Sequence, residues 1–194
     1  EPELQAEAKR LALRWLDERE AVGADIVGAM LDVAARHGDR ALFDRFLDAA
    51  KAAKVRRDRT RLLNSLGSFS DPALVRKALG LFLSSDFDSR EAGGILFNAS
   101  QQEGSRQLVW DFMTTNYDAI VARLPHEQTG IMPFFGGAFC DPEHRKTVDA
   151  FFKDRAGKLP GGPRNLAQTL EGIDLCIASK AAQEPGVREF LKTY

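Results

Sequence analysis

The residues with the strongest chemical character form a run from His126 to Gly130, with the sequence His-Glu-Gln-Thr-Gly. This run differs only at its last position from the zinc-binding motif H-E-x-x-H. In that motif, two imidazoles one helical turn apart bind zinc and the Glu activates water. Gly130 stands where the second histidine would be, and Pro125 precedes the run. Asp149 could follow as a third ligand, but a carboxylate alone cannot replace the missing imidazole. We therefore interpret the run as a surface loop and predict no metal site, no cofactor site and no catalytic residue in this chain.

The other histidines and the two cysteines suggest no reactive site either. His37 and His144 lie at predicted helix boundaries beside charged residues, where side chains are usually solvated. Cys140 and Cys176 have the spacing neither of a metal site nor of a disulfide framework. The sequence therefore leaves the redox compartment undecided.

A basic run surrounds one predicted turn between helices. It could contact an anion or a phosphate. No aromatic residues that could stack on bases are interleaved with it, so we favour a solvated turn whose cations suit the C-terminus of a helix. The residues of the run are Lys51, Lys54, Arg56, Arg57, Arg59 and Arg61.

Glycine pairs and a phenylalanine cluster occur in apolar stretches. Gly93-Gly94 and Gly136-Gly137 fit no phosphate-binding motif, so we predict that they let neighbouring helices approach closely. The phenylalanines are predicted to lie in the core, and the alternative is that some of them form the wall of a groove for peptide side chains. They are Phe134, Phe135, Phe139, Phe151 and Phe152.

The elements that carry these residues repeat along the chain. Four times an apolar helical stretch is followed by a turn, a capping residue and a second amphipathic stretch. The caps are Asp39, Asp71, Ser105 and Asp141, at spacings of 32, 34 and 36 residues. Two helices in a period of this length are typical of an α-solenoid. We therefore predict an all-α array of antiparallel helix pairs that forms a single domain over residues 1–194.

The apolar periodicity predicts helices along nearly the whole chain and no strand. Gly38 is expected to end the second helix in a left-handed conformation. A loop is predicted over 157–163, and Pro185 is the expected break in a final helix or helix pair. The predicted helical ranges are 3–19, 24–36, from 39 onward, 56–66, 71–83, 88–102, 105–113, 116–124, 131–139, 141–156 and 164–194.

Composition limits the classes of function. The chain has 194 residues, of which 44% are hydrophobic, and a formal net charge of −1. A near-neutral charge argues against a dedicated nucleic-acid binder, which needs a basic surplus to neutralise phosphates. No apolar run is long enough for a membrane span. Because Glu1-Pro2 is an unusual start, we expect a piece of a longer protein, whose localisation stays unknown, with a preference for the cytoplasm.

One segment resembles a known family. Trp110, Asp111 and Phe112, followed by Asn116 and Tyr117, are similar to a W-D-F-x-x-x-N-W segment. That segment occurs in the C-terminal helical domain of the gluzincin zinc aminopeptidases, the family of aminopeptidase N and of the puromycin-sensitive and endoplasmic reticulum aminopeptidases. Tyr117 departs from the usual Trp. We predict that this motif is structural.

Two further segments agree in order and spacing with the same family. Residues 62–67 followed by Asp71-Pro72 resemble its L-L-x-A-L-G…D-P segment, and residues 38–46 resemble its G-x-x-x-E-F-D stretch. The resemblance covers roughly residues 11–194 and implies a HEAT- or armadillo-like array that curves over a catalytic domain. The family's H-E-x-x-H motif, its downstream Glu, its G-x-M-E-N motif and its transition-state Tyr belong to other domains. No catalytic residue is therefore carried over to this chain.

Two functions from different classes follow. In the first, the chain is a non-catalytic C-terminal domain of a zinc aminopeptidase, which closes the substrate chamber and contacts the peptide beyond the scissile bond. Its partners would be the catalytic domain of the same polypeptide and peptide substrates, and the zinc would lie in that catalytic domain. In the second, the chain is a free-standing helical-repeat scaffold for protein–protein interaction. The resemblance favours the first, and the sequence does not identify the peptide-binding residues.

Overall fold

The computed structural model describes residues 1–193, and within them the secondary structure is entirely helical. This confirms the predicted all-α class. None of the helices in this range is both long enough and apolar enough to cross a membrane. The helices are α1 (Pro2–Asp17), α2 (Val27–Arg36), α3 (Arg40–Ala52), α4 (Arg56–Leu66), α5 (Pro72–Leu83), α6 (Ser89–Ser100), α7 (Arg106–Thr115), α8 (Tyr117–Arg123), α9 (Pro142–Phe152) and α10 (Gly162–Leu191), with 3-10 helices at His126–Gly136 and Ala156–Lys158.

The chain divides into two compact units, Glu1–Arg123 and the residues from Leu124 onward. In the first unit, α1 packs on α2, α3 on α4 and α5 on α6. The second members of these pairs, α2, α4 and α6, also pack side by side. This arrangement of helix pairs is solenoid-like, and its core consists of the apolar face that each helix turns towards its neighbours. The large side chains with almost no exposure in this core include Trp15, Phe43, Phe46, Phe69 and Phe82.

The caps that define the repeat lie where the sequence predicts them. The carboxylates of Asp39, Asp71 and Asp141 each accept a hydrogen bond from a backbone N–H in the first turn of the following helix. Ser105 also precedes a helix, but its hydroxyl donates to the carbonyl oxygen of Ala99 at 2.7 Å instead. Three of the four predicted caps therefore act through their side chains.

Gly38 does not adopt the left-handed conformation that we expected at the end of α2. Among the described residues the only positive φ belongs to Gly161, at 65°, immediately before α10. Gly38 is instead required by space, since a Cβ there would lie 2.8 Å from the ring of Phe69. The turn between α2 and α3 thus depends on close packing against a core phenylalanine.

The second unit contains the two 3-10 helices, α9 and α10. The 3-10 helix at His126–Gly136 and α9 both pack on α10. The predicted surface loop at 126–130 is therefore part of a 3-10 helix. The predicted break at Pro185 is wrong as well, because α10 continues through this proline to Leu191.

A disulfide joins Cys140, which follows the 3-10 helix, to Cys176 on α10. The prediction that these cysteines form no disulfide framework is therefore wrong. The two cysteines are 36 residues apart in sequence, while their Cα atoms are 5.3 Å apart. Only the packing of the intervening helices brings them together, so their spacing in the sequence gives no signal.

Candidate functional site

The family motif lies at the end of α7 and the start of α8. Trp110 is buried, with 4% of its surface exposed, and Phe112 is half-buried. Asn116 donates from its side chain to the carbonyl oxygen of Phe112 at 2.8 Å, which satisfies a carbonyl at the end of the helix. Asp111 is exposed and accepts a hydrogen bond from Gln107. Tyr117 is the first residue of α8 and is half-buried.

The run from His126 to Gly130, which resembles H-E-x-x-H, has no room for a second imidazole. Gly130 is buried, and a Cβ at this position would overlap the carbonyl oxygen of Pro160. His126 is exposed, and its carbonyl oxygen accepts a hydrogen bond from Thr129. Across residues 1–193, no three His, Cys, Asp or Glu side chains are grouped as a metal site would require. A histidine at position 130 would therefore clash with the backbone of Pro160.

The phenylalanine cluster is only partly core. Phe135, Phe139 and Phe152 are buried, whereas Phe134 is 40% exposed. Phe139 stacks on the ring of His144, with their centroids 3.9 Å apart. The imidazole of His144 is thus packed on an aromatic ring.

One residue of the predicted glycine pairs has the expected packing role in the first unit. A Cβ on Gly94 would overlap the side-chain oxygen of Asn64, so any larger residue would displace that amide from its place between α4 and α6. Gly93 faces open space, and the packing interpretation is wrong for it.

Two residues of the basic run form ion pairs with a buried carboxylate, so the run is not simply a solvated turn. The carboxylate of Glu91, on α6, accepts hydrogen bonds from Nε and Nη2 of Arg59, on α4, the second at 3.1 Å. Arg56 is 3.0 Å from the same carboxylate. The hydrogen bonds from Arg59 lower the pKa of Glu91, which is only 6% exposed. Two residues of the run therefore hold a buried carboxylate between α4 and α6.

The remaining cations of the run lie at the surface. Lys51 is 2.9 Å from Asp86, and half of its side chain is exposed. Arg57 is exposed, and its nearest carboxylate oxygen, on Asp58, is 3.8 Å away. Arg61 is less exposed and donates to the carbonyl oxygen of Ala24 at 2.7 Å. Arg57 and Arg61 both face a cleft for which the sequence gives no prediction.

This cleft lies in the first unit, between the α1–α2 connection and the start of α4. Its volume is about 500 Å³, which falls within the usual range for small-ligand sites. Apolar and charged side chains share its walls. The lining residues are Trp15, Arg19, Glu20, Val22, Gly23, Ala24, Val55, Arg57, Asp58 and Arg61.

Arg19 is the least expected member of the cleft. Its guanidinium lies over the ring of Trp15, 4.1 Å from the ring centroid, and Nη1 donates to the carbonyl oxygen of Trp15 at 2.5 Å. Partial burial lowers the pKa of Arg19, and the negative charges of Asp58 and Asp17 oppose this shift. In the sequence, the contact between these two side chains is indicated only by their spacing of four residues.

The charges of the cleft do not cancel. Three guanidinium groups, from Arg19, Arg57 and Arg61, face it together with the carboxylates of Glu20 and Asp58. Asp58 is shared, because its Oδ1 is 3.6 Å from Nη1 of Arg61 and 3.8 Å from Nε of Arg57. Both distances exceed those of hydrogen bonds. The lining residues therefore carry one more positive than negative charge beside an apolar wall, and the carboxylate of Asp17 acts on Arg19 from outside the lining.

Comparison with known proteins assigns the chain to a family. The sequence profile of the ERAP1-like C-terminal domain matches residues 1–175. The chain is also similar to Aminopeptidase 2 of Candida albicans, with 25% identity over 179 residues, which cover 89% of this chain. The chain spans about a fifth of the length of this curated relative, since the match covers 19% of it.

Proposed function

Because the chain belongs to the ERAP1-like C-terminal domain family, we propose that it closes the substrate chamber of a zinc aminopeptidase and contacts the peptide beyond the scissile bond. The observation that carries this proposal is the family match over residues 1–175. The similarity to Aminopeptidase 2 over most of the chain supports it. The chain is thus the C-terminal domain of an aminopeptidase-family protein, and its chamber role is the proposed part.

In this proposal the catalytic domain of the parent supplies all reacting groups, and this chain supplies none. The parent would remove N-terminal residues from peptides, and a zinc ion held by its catalytic domain would supply the activation of water. The packing of α2, α4 and α6 side by side supports this role, because HEAT and armadillo arrays stack helix pairs in a similar way and use the resulting surface for extended ligands. Such a surface, placed against the catalytic domain of the same polypeptide, would exclude folded proteins and bind the distal part of a peptide.

The second candidate is a free-standing scaffold that binds another protein. It shares the helix-pair architecture but needs no catalytic domain. The coding sequence upstream of Glu1 separates the two. An upstream H-E-x-x-H motif supports the aminopeptidase domain, whereas a start codon just before Glu1 supports the scaffold.

A length series of peptides tests the chamber role in the full-length enzyme. A dipeptide-sized reporter reaches only the catalytic domain, whereas a long peptide must also meet this domain. Remote contacts can be used in the transition state, so their loss lowers kcat/KM for long substrates. We propose Arg36→Gln on α2 and Arg76→Gln on α5, which change two exposed arginines. The first lies in the layer formed by α2, α4 and α6, and the second in the layer formed by α1, α3 and α5.

The expected result is that the variant in the chamber-facing layer slows long peptides more than the reporter. The variant in the other layer serves as the matched control, since it removes the same charge. If both variants leave the dependence of kcat/KM on length unchanged, neither arginine contacts the peptide. Wild-type rates that do not depend on peptide length would contradict the chamber role.

A further inference from the structure

We propose that the disulfide between Cys140 and Cys176 is a redox latch, which fastens the C-terminal half of α10 and which a dithiol reductant opens. Both cysteines belong to the second unit. Cys176 lies on α10, and Cys140 lies in the short connection between the 3-10 helix at His126–Gly136 and α9. The latch does not depend on the role of the domain in an aminopeptidase.

The latch continues the stripe of residues through which α10 packs on the second unit. The buried residues of this helix are Gly162, Leu166, Thr169 and Ile173, at the steps of three and four that one helix face requires. Cys176 is the next position of the stripe, three residues after Ile173. From there to Leu191 no residue of α10 is buried. The disulfide therefore lies where the noncovalent packing of α10 ends.

Cys140 gives the latch a fixed attachment point. Phe139, before it, is 4% exposed. Asp141, after it, caps α9 by accepting a hydrogen bond from the backbone N–H of His144 at 2.9 Å. The backbone on both sides of Cys140 is therefore held in place. Cys176 instead marks the start of an exposed part of α10, so an open latch would release α10 rather than the connection.

One noncovalent contact lies beside the latch. Nε and Nη2 of Arg145, on α9, donate to the two carboxylate oxygens of Asp174, on α10, at 2.7 and 3.0 Å. The side chain of Arg145 is 34% exposed and that of Asp174 is 50% exposed, and ion pairs in contact with water contribute little to stability. A disulfide contributes more, because it restricts the unfolded chain. The attachment of α10 at this level therefore depends mainly on the latch.

The position of Cys176 makes the latch accessible to thiols. Cys176 is exposed and Cys140 is half-buried, and exposed disulfides are the ones that thiols reduce readily. A thiolate of the dithiol attacks the sulfur of Cys176, and the sulfur of Cys140 leaves as a thiolate that takes a proton from water. The second thiolate of the dithiol then attacks the reductant's own sulfur in the mixed disulfide and releases Cys176. Two electrons and two protons thus convert both cysteines to thiols, and the dithiol becomes a disulfide.

Hydrogen exchange followed by mass spectrometry tests the latch in the full-length protein, without denaturant, in the presence and absence of dithiothreitol. Alkylation and peptide mapping of the same samples report whether Cys140 and Cys176 are free thiols. The comparison includes the wild type, a double variant with Cys140→Ser and Cys176→Ser, and Arg145→Gln, which removes the ion pair. Arg164→Gln changes an exposed arginine at the other end of α10 and is the matched control for Arg145→Gln.

We expect dithiothreitol to reduce both cysteines of the folded wild type and to raise the exchange rate of the backbone amides over residues 170–180 about tenfold. The amides of α4, in the first unit, should keep their rates within about twofold. Removal of dithiothreitol and addition of oxidised glutathione should restore slow exchange. The double variant should exchange at the faster rate under both conditions.

The ion pair should matter more when the latch is open. With the latch closed, Arg145→Gln should raise the exchange rate over residues 170–180 by less than about twofold. With the latch open the increase should be larger, because the ion pair then holds this part of α10 without the disulfide. Arg164→Gln should leave the exchange rate unchanged in both states.

The latch is refuted if the disulfide is reduced only in denaturant, or if its reduction leaves exchange over residues 170–180 as slow as before. Equal acceleration in both units would also refute it, because the disulfide would then stabilise the whole chain instead of fastening α10. If Arg145→Gln alone accelerates exchange as much as reduction does, the ion pair and not the disulfide holds the helix.

Discussion

Asn98 donates a hydrogen bond from its side-chain nitrogen to the backbone carbonyl oxygen of Asn64 at 3.1 Å, and the two residues are 34 positions apart. The separation equals one period of the helix-pair repeat. Equivalent positions of successive pairs are linked in the same way elsewhere in each unit, at separations of 32 to 36 residues. These links include Arg59 to Glu91, Ser65 and Ser68 to Asp32, Ser70 to Arg36, Lys77 to Asp44, Ser89 to Arg123, Arg123 to Phe87, Gln102 to Gly67 and Asn165 to Gly130.

Removal of the Asn98 side chain should weaken the link between these two helix pairs and lower the stability of the fold. Asn98→Ala deletes one of the hydrogen bonds to the carbonyl oxygen of Asn64, and we expect the free energy of unfolding to fall by about 1 kcal/mol. Urea titration followed by circular dichroism measures it. Gln168→Ala, which removes an exposed amide from α10, is the control and should cost less than about 0.5 kcal/mol. Equal effects of the two substitutions would show that the link does not contribute.

The repeat, the caps and the helix pairs could be predicted because they depend on local patterns. Apolar spacing and capping residues act within one or two helical turns, and Asp39, Asp71 and Asp141 bear this out. The disulfide and the cleft could not be predicted, since Cys140 and Cys176, or Arg19 and Arg61, meet only after distant segments have packed. The continuation of α10 through Pro185 has no local signal either.

Trp110 should be a major contributor to stability rather than a ligand contact. It is 4% exposed on α7, and truncation of a buried aromatic ring leaves a large cavity. We expect Trp110→Ala to cost about 3–5 kcal/mol in denaturant titrations. Phe97→Ala removes a ring that is 57% exposed and should cost under about 1 kcal/mol. A cost below about 1 kcal/mol for Trp110→Ala would show that its ring is peripheral.

The ion pair of Glu91 should make stability depend on pH. Its pKa lies below the ordinary value of 4.5 because Arg59 donates hydrogen bonds to the carboxylate. A lowered pKa stabilises the fold above about pH 4.5, and this contribution is lost as the pH falls through the lowered pKa. Glu91→Gln should therefore cost about 1–3 kcal/mol near pH 7, and the difference from the wild type should shrink towards about pH 3. A difference that stays constant across this range would contradict the assignment.

The disulfide should stabilise the second unit. It links residues 36 positions apart. Closure of a loop of this size lowers the entropy of the unfolded chain and so raises the free energy of unfolding by about 3–4 kcal/mol. We expect a double substitution, Cys140→Ser with Cys176→Ser, to lower the unfolding midpoint in urea. A reducing agent should lower the midpoint of the wild type by a similar amount and leave the double variant unchanged. No response of the wild type to the reducing agent would contradict the prediction.

The isolated chain should bind no zinc tightly and should have no aminopeptidase activity. His126 has no second imidazole one turn later, because Gly130 is packed against the carbonyl of Pro160 and leaves no space for a side chain. Catalytic zinc sites require three good protein ligands, and His126 alone cannot supply them. Metal analysis after dialysis against zinc measures the outcome, and Gly130→His should destabilise the fold rather than create a site. Stoichiometric zinc that is lost in His126→Ala would prove this prediction wrong.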